Sequence, residues 1–226
     1  YNACVELNRR LDKYRTPDRT FQQAVMAAYF DKVDLSAHGY YGTPGITWNW
    51  DTGKGHPFAY YAYGIGAALV EIDTLTGDHV VKRSDIVYDV GRSINPAVDI
   101  GQIEGGFLQG YGLVTMEELV HGDNKNTKWF KPGVFQTNGP SYYKVPSFND
   151  VPEEFNVSIL PGSNNKQGLF SSKAIGEPPL LLANSVGLAI KDAITASRRE
   201  NGIEPYFELV YPLTADRIKV LSAAKI

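Results

Sequence analysis

In the segment SSKAIGEPPLLLANSVGLAIKDAI (Ser171–Ile194), a carboxylate, Glu177, stands between a glycine and two prolines at the head of a long apolar run. The proline that follows disfavours the α conformation at Glu177 and favours extended or polyproline II backbone. Pro178 suits the first position of a helix, where its missing N–H costs nothing. PPLLLANSVGLAI carries no charge before Lys191, which predicts a helix from Pro178 to about Asn201, buried for three turns and closed by Gly202. A carboxylate at its start is expected to be drawn inward. Burial raises a carboxyl pKa and a helix N-terminus lowers it, so the site suits a general base that stays ionised yet poorly hydrated. The same spacing also reads as a helix-capping glutamate with a structural role only.

Other chemistry-bearing residues form weaker patterns. His38, His56, His79 and His121 are scattered, and no pair has metal-ligand spacing, so no residue is assigned to a metal. Glu117 and Glu118 are adjacent, would point apart on a helix, and read as a solvated edge. YGIGAA holds G-x-G inside a predicted strand, too little for a dinucleotide loop. The aromatic cluster TWNWDTGKGHPFAYYAY reads as core packing ahead of a pocket for a flat substrate. Asn156-Val157-Ser158 has the glycosylation pattern but lies in a predicted strand. Cys4 falls within the apolar pattern of a helix and reads as a small core residue.

These residues must be held by a chain of 226 residues, enough for one large domain or two small ones. Hydrophobic residues make up 43% and charged residues 21%, an ordinary globular balance. A net charge of −3 without a basic cluster argues against a nucleic-acid partner. No uninterrupted apolar stretch approaches the roughly 18 residues of a membrane span. One cysteine excludes an internal disulfide framework and a cysteine-held iron–sulfur cluster within this chain, and fits a reducing compartment. The N-terminus has neither an initiator methionine nor a signal-peptide layout, so a fragment or processed chain is expected.

Helices and strands interleave irregularly, predicting an α+β (mixed α/β) architecture. Residues 1–36 read as two helices broken at RTPDRT, with Asp18 or Thr20 capping the second. AYYAYGIGAALVEID and HVVKRSDIVYDVG read as strands joined by a tight turn at Gly77, the first of them central in its sheet. EEFNVSIL and GLFSSKAI read as two more strands, and a short final helix is capped by Thr214. Between them, Asp99 is expected to cap a helix running to about Leu119 that carries Gly101, Gly105, Gly106, Gly110 and Gly112. Each interior glycine costs about 0.5–1 kcal/mol relative to alanine, so either another element packs very close or a ligand needs bare backbone.

SKAIGEPPLLLANSVGLAIKDAI, DIVYDVGRSINPAVDIGQIEGGFLQGYGL and VEIDTLTGDH together closely resemble the C-terminal part of the molybdenum-cofactor portion of the molybdenum hydroxylases, in their xanthine dehydrogenase branch. The resemblance extends over almost the whole chain, from ACVELNRRL to the end. It implies a C-terminal segment of a molybdopterin-binding domain over residues 1–226, with a polar excursion at about 121–140. It implies that Glu177 is the general base for metal-hydroxide attack on a purine ring carbon, oxidising hypoxanthine or xanthine to urate. Gly176 would lie close to the metal, and Gln102 would hydrogen-bond the pterin, with exposed N–H groups at the start of the glycine-rich helix suiting its phosphate. The two prolines after the glutamate resemble xanthine dehydrogenases, whereas aldehyde oxidases usually have serine there. Aldehyde oxidase-type or other N-heteroaromatic hydroxylation, or a non-catalytic scaffold, are the alternatives. In FQTNGPSYYKVPSF, Asn138 departs from an arginine common in the family. The resemblance also implies a homodimeric parent protein, in the cytoplasm or the peroxisome, that carries 2Fe-2S clusters and FAD outside this segment. The segment alone is expected neither to hold the molybdenum cofactor tightly nor to turn over substrate.

Overall fold

A computed structural model of the chain describes residues 1–125 and 127–222. It divides into two compact units, Tyr1–Ala59 and Tyr60–Ile226.

The first unit begins with α1 (Asn2–Leu11), a 3-10 turn at Asp12–Tyr14 and α2 (Phe21–Phe30). Thr20 caps α2 in a capping box: its hydroxyl accepts from Gln23 N at 3.3 Å, while its N–H donates to Gln23 Oε1 at 2.8 Å. The small core is Leu11, Tyr14, Ala24 and Ala28. Cys4, expected inside, is exposed: of α1 only its last residue, Leu11, reaches the core, so the first turns of the same face stay uncovered. A short antiparallel hairpin follows, β1 (Thr47–Asn49) and β2 (Lys54–His56). Trp48, Trp50 and Phe58 are exposed, so this part of the aromatic cluster does not form core. The two indoles meet only edge to face, with centroids 6.2 Å apart.

The second unit is built on a three-stranded sheet: β3 (Gly64–Ile72), β4 (His79–Tyr88) and β5 (Glu154–Ile159), in the order β3-β4-β5. β3 and β4 form the expected antiparallel hairpin, with a register shift between Leu69 and Val70. β5 joins β4 in parallel, pairing Arg83 with Glu154 and Tyr88 with Ile159, so β4 is central and β3 is an edge. The predicted strand GLFSSKAI is instead a 3-10 turn at Leu169–Ser171 with one bridge from Ser172 to Gly91. Phe170 and Ser171 both have positive φ there, which breaks a strand.

The glycine-rich helix is α3 (Pro96–Thr115). Its cap is Asn95 rather than Asp99: the Asn95 side chain accepts from Ala97 N and Val98 N, and Pro96 takes the first helical position. Asp99 sits in the first turn and accepts from the Ser93 hydroxyl at 2.5 Å. The helix stops at Thr115, short of Leu119, where Met116 N and Glu117 N share Gly112 O. The apolar run after Glu177 is not one α-helix. It starts as a 3-10 segment, Pro178–Ala183, and becomes α4 (Asn184–Glu200). Gly202, at φ +68, closes α4: Gly202 N donates to Arg199 O and Ile203 N to Arg198 O, the two bonds of a Schellman ending. The last helix is α5 (Ala215–Ser222), entered after Thr214.

The continuous helical run Pro178–Glu200 has 23 residues and by length and composition could cross a membrane, which the interrupted apolar sequence does not suggest. Its Val186, Ile190 and Ile194 are buried with Ile86, Tyr88, Ile103 and Phe107 in one core, the placement of a core helix. Leu181 and Leu188 are exposed, so the run is buried on one face and not all round.

The glycines of α3 have three surroundings, and Gly112 stands against Glu117 and Pro146. A methyl group at Gly106 would lie 3.0 Å from Gly176 O and 3.1 Å from Pro179 Cβ. At Gly110 it would overlap Leu180 O and lie 2.9 Å from Ala183 Cβ. These two let the helix touch Gly176–Ala183. Gly101 and Gly105 face open space instead, with nothing within 4 Å. At the far end of α3, Tyr111 meets His79 of β4, hydroxyl to Nε2 at 2.8 Å. Burial holds the His79 imidazole below its usual 6.5, against the raising influence of Asp150 and Asp78, and pushes Tyr111 up to about 12.

Two tests follow from this packing, both on the full-length protein. Gly110→Ala should destabilise this unit by about 1–3 kcal/mol through overpacking, whereas Gly105→Ala should stabilise it by about 0.5–1 kcal/mol. Hydrogen exchange of peptides from α3 reads both. Because the folded-state pKa of His79 is depressed, its contribution is fully present above 6.5 and is lost as pH falls through the lowered value. Amide protection at the β4–α3 contact should therefore weaken on acidification in that window, and less so in His79→Gln.

Candidate functional site

Glu177 has the helical angles φ −97 and ψ −39, not the extended backbone expected before proline. The reason is local: Leu180 N donates to Glu177 O at 3.0 Å, so Glu177 closes the first 3-10 turn with its own carbonyl. Its side chain does no capping. Pro178 and Pro179 have no N–H to offer a capping carboxylate, and the next donor, Leu180 N, is taken by Glu177 O. Among the described residues the carboxylate has no hydrogen-bond or ion-pair partner, and Glu177 is exposed, not drawn inward. Burial starts two residues later, at Pro179. The capping reading of this glutamate is thereby removed, and an uncommitted carboxylate on a stiff turn remains.

Gln102 lies on the same ground. Its Oε1 is 3.8 Å from the point where a Cβ on Gly176 would stand, so residues 74 positions apart (176 − 102) meet directly before Glu177. Gln102 is exposed, between the open glycines Gly101 and Gly105. A pterin needs hydrogen-bonding partners for its polar edge and a surface without projecting side chains; an amide with no hydrogen-bond partner among the described residues, flanked by bare backbone, meets both needs. The start of α3 does not offer the expected N–H groups to a phosphate. Pro96 has none, Ala97 and Val98 donate to Asn95 Oδ1, and Asp99 N donates to Asn95 O at 2.9 Å. The fit to a molybdenum cofactor thus rests on Gln102, Gly101, Gly105 and Gly176.

The segment that leads into Glu177 is fastened to the end of β4. Lys173 N donates to Val90 O at 2.9 Å, and Arg92 N to Ser171 O at 2.9 Å. Tyr88 donates its hydroxyl to Ala174 O at 2.9 Å, while Ala174 N donates to the Tyr60 hydroxyl at 3.1 Å. Burial, reinforced by the nearby Asp89 charge, pushes the Tyr88 phenol up to about 12, which keeps it a donor. Asp89 and Lys173 form an ion pair at 2.5 Å, with side chains only 2% and 8% exposed. Burial raises the Asp89 carboxyl, but hydrogen bonds from Lys173, Ser163 and Gly91 N outweigh it and hold the group below the usual carboxylate range.

No local pattern marks Asp89 or Lys173. They are 84 positions apart, and the only hint is that a lysine and an aspartate each adjoin apolar stretches. Glu117 and Glu118 are not a solvated edge: Glu117 accepts from the Tyr143 hydroxyl and Glu118 pairs with Arg217. Asn156 lies on β5, where its side chain donates to Asp85 Oδ1 at 2.9 Å. Asn138 is exposed, in an apolar cleft shared with Leu119, Phe135 and Tyr143.

A sequence model described as the molybdopterin cofactor-binding domain matches residues 1–152, a span that contains Gln102 and ends before Glu177. The chain is similar to the xanthine dehydrogenase of Oryza sativa subsp. japonica, at 50% identity over 221 residues, covering 97% of this chain and 16% of that protein. It is 47% identical over 224 residues to the xanthine dehydrogenase/oxidase of Felis catus, with the same coverage. Among solved structures, the aldehyde oxidoreductase from Desulfovibrio desulfuricans matches 97% of this chain and 22% of its own with a TM-score of 0.63 at 21% identity, which shows the shared α+β fold. The chain spans 16% of the length of these curated relatives. Since the matched span is well over half of its 226 residues, the chain belongs to the molybdopterin cofactor-binding domain family.

Proposed function

We propose that this chain forms one wall of the active site of a molybdenum hydroxylase of the xanthine dehydrogenase type, with Glu177 as general base and Gln102 as a contact to the pterin. One observation carries the reading: among the described residues Glu177 neither caps a helix nor pairs with a cation, and it follows the glycine that Gln102 faces. When bound, the molybdenum cofactor supplies oxygen-transfer and two-electron redox chemistry, which side chains of this kind lack. Gln102 holds the pterin edge by its amide, and Gly101, Gly105 and Gly176 leave the cofactor room to approach. Glu177 accepts a proton at a carboxylate oxygen from the attacking oxygen nucleophile. Its stiff turn fixes where that proton is taken, and geometry of this kind is a large part of general-base efficiency.

The substrate class is a purine, hypoxanthine or xanthine giving urate, which the two prolines after Glu177 and the naming of the relatives support. The rest of the parent chain would supply the groups that orient the purine, together with the 2Fe-2S clusters and FAD that pass electrons on. A homodimeric, cytoplasmic parent enzyme of purine catabolism fits this role. The segment without that remainder should neither retain the cofactor nor turn over.

Two substitutions in the full-length enzyme test the assignments. Glu177→Gln should leave molybdenum content unchanged and lower xanthine turnover by about 10²–10⁴-fold, the usual worth of a general base. Turnover near the wild-type rate would refute the role of Glu177. Gln102→Ala should instead lower retained molybdenum, measured by metal analysis after gel filtration, since a lost hydrogen bond is worth about 0.5–1.5 kcal/mol. Full metal content in that variant would remove Gln102 from the cofactor site.

A further inference from the structure

The buried pair Asp89–Lys173 is not used by the chemistry above. A desolvated ion pair is a poor means of stabilising a fold, because an apolar pair of similar size serves as well. What such a pair does supply is direction. The Lys173 ammonium is held from three sides: Asp89 Oδ2 at 2.5 Å, Tyr61 O at 2.9 Å and the Tyr63 ring at 5.5 Å. The other Asp89 oxygen accepts from Gly91 N at 2.8 Å and from the Ser163 hydroxyl. Asp89 N in turn donates to Tyr63 O at 2.8 Å, which ties the pair to the residue just before β3.

Lys173 is four residues before Glu177. Between them Ala174 is bonded on both sides, Ile175 packs against the core, and Gly176 lies under Gln102 and Gly106. Beyond Glu177 the two prolines start a 3-10 turn whose Pro179 is buried. The backbone from 173 to 180 therefore runs through consecutive anchors, and Lys173 is the one that fixes its entry against the sheet.

We propose that the Asp89–Lys173 pair is a positioning device for Glu177, which sets the rate of turnover and leaves cofactor retention and folding to other contacts. This inference rests on Glu177 being the base.

The test uses the full-length, molybdenum-loaded enzyme with xanthine as the probe, and replaces both partners so that no lone charge is left buried. In Asp89→Asn/Lys173→Met, molybdenum content and KM should stay at wild-type values while kcat falls about 10–100-fold, the effect of a misplaced catalytic group. In a Glu177→Gln background the same two changes should lower kcat no further, because the group they position is gone. An equal loss in both backgrounds, an unchanged kcat, or a loss confined to KM or metal content would overturn the proposal. If the double variant yields no soluble protein, Ser163→Ala removes one bond to Asp89 and should lower kcat at full metal content; an unchanged kcat there overturns it as well. The Glu177→Gln single variant reports separately on the base, since normal turnover in it would fail that assignment whatever the pair does.

Discussion

The contact between α3 and the segment Gly176–Ala183 is the constraint on which the candidate site depends. Gly106 and Gly110 stand on the contacting face, and any side chain there would meet Gly176 O, Pro179, Leu180 O or Ala183. Each glycine weakens the helix by about 0.5–1 kcal/mol, a cost met by the apolar surface that the close approach buries. The same approach places the Gln102 amide beside Gly176, one residue from Glu177. A helix held one side chain further away would separate the two.

A second system, polar rather than apolar, works at the end of the sheet. Tyr88, Asp89 and Val90 follow each other at the end of β4, and each bonds to the strip Lys173–Ala174. The sheet is a suitable frame because β4 is paired on both sides, antiparallel to β3 and parallel to β5. Tyr88, Asp89 and Val90 are buried, so their hydrogen bonds are costly to leave unmade and the strip has few alternative positions. Glu177 is held between the two systems, with polar anchors before it and the proline-led turn after it.

Much of the second unit was legible from local pattern. The hairpin at Gly77, the strand EEFNVSIL, the glycine-rich helix and the Gly202 ending all rest on short-range signals: turn residues, alternation and a positive-φ cap. The errors came from competition between neighbours. Asn95 displaced Asp99 as cap because it precedes Pro96 and reaches two N–H groups. Residues 169–171 left the strand pattern because Phe170 and Ser171 take positive φ, which their side chains do not announce. β4 rather than β3 became central because β5 pairs across a gap of more than sixty residues, which no local pattern encodes.

For the site, the sequence by itself determined the chemistry available: a glutamate ahead of two prolines, a glutamine among glycines, and motifs long enough to be matched to a family. It also determined that some glycines must serve close packing or open backbone. Only the tertiary structure decided which served which, since Gly106 and Gly110 differ from Gly101 and Gly105 by what lies opposite them, not by their neighbours in the chain. It likewise decided that Glu177 is exposed and without capping work, and that Asp89 and Lys173, 84 positions apart, are one buried unit. Burial and pairing are properties of contacts between distant segments, and a residue's own type and spacing cannot state them.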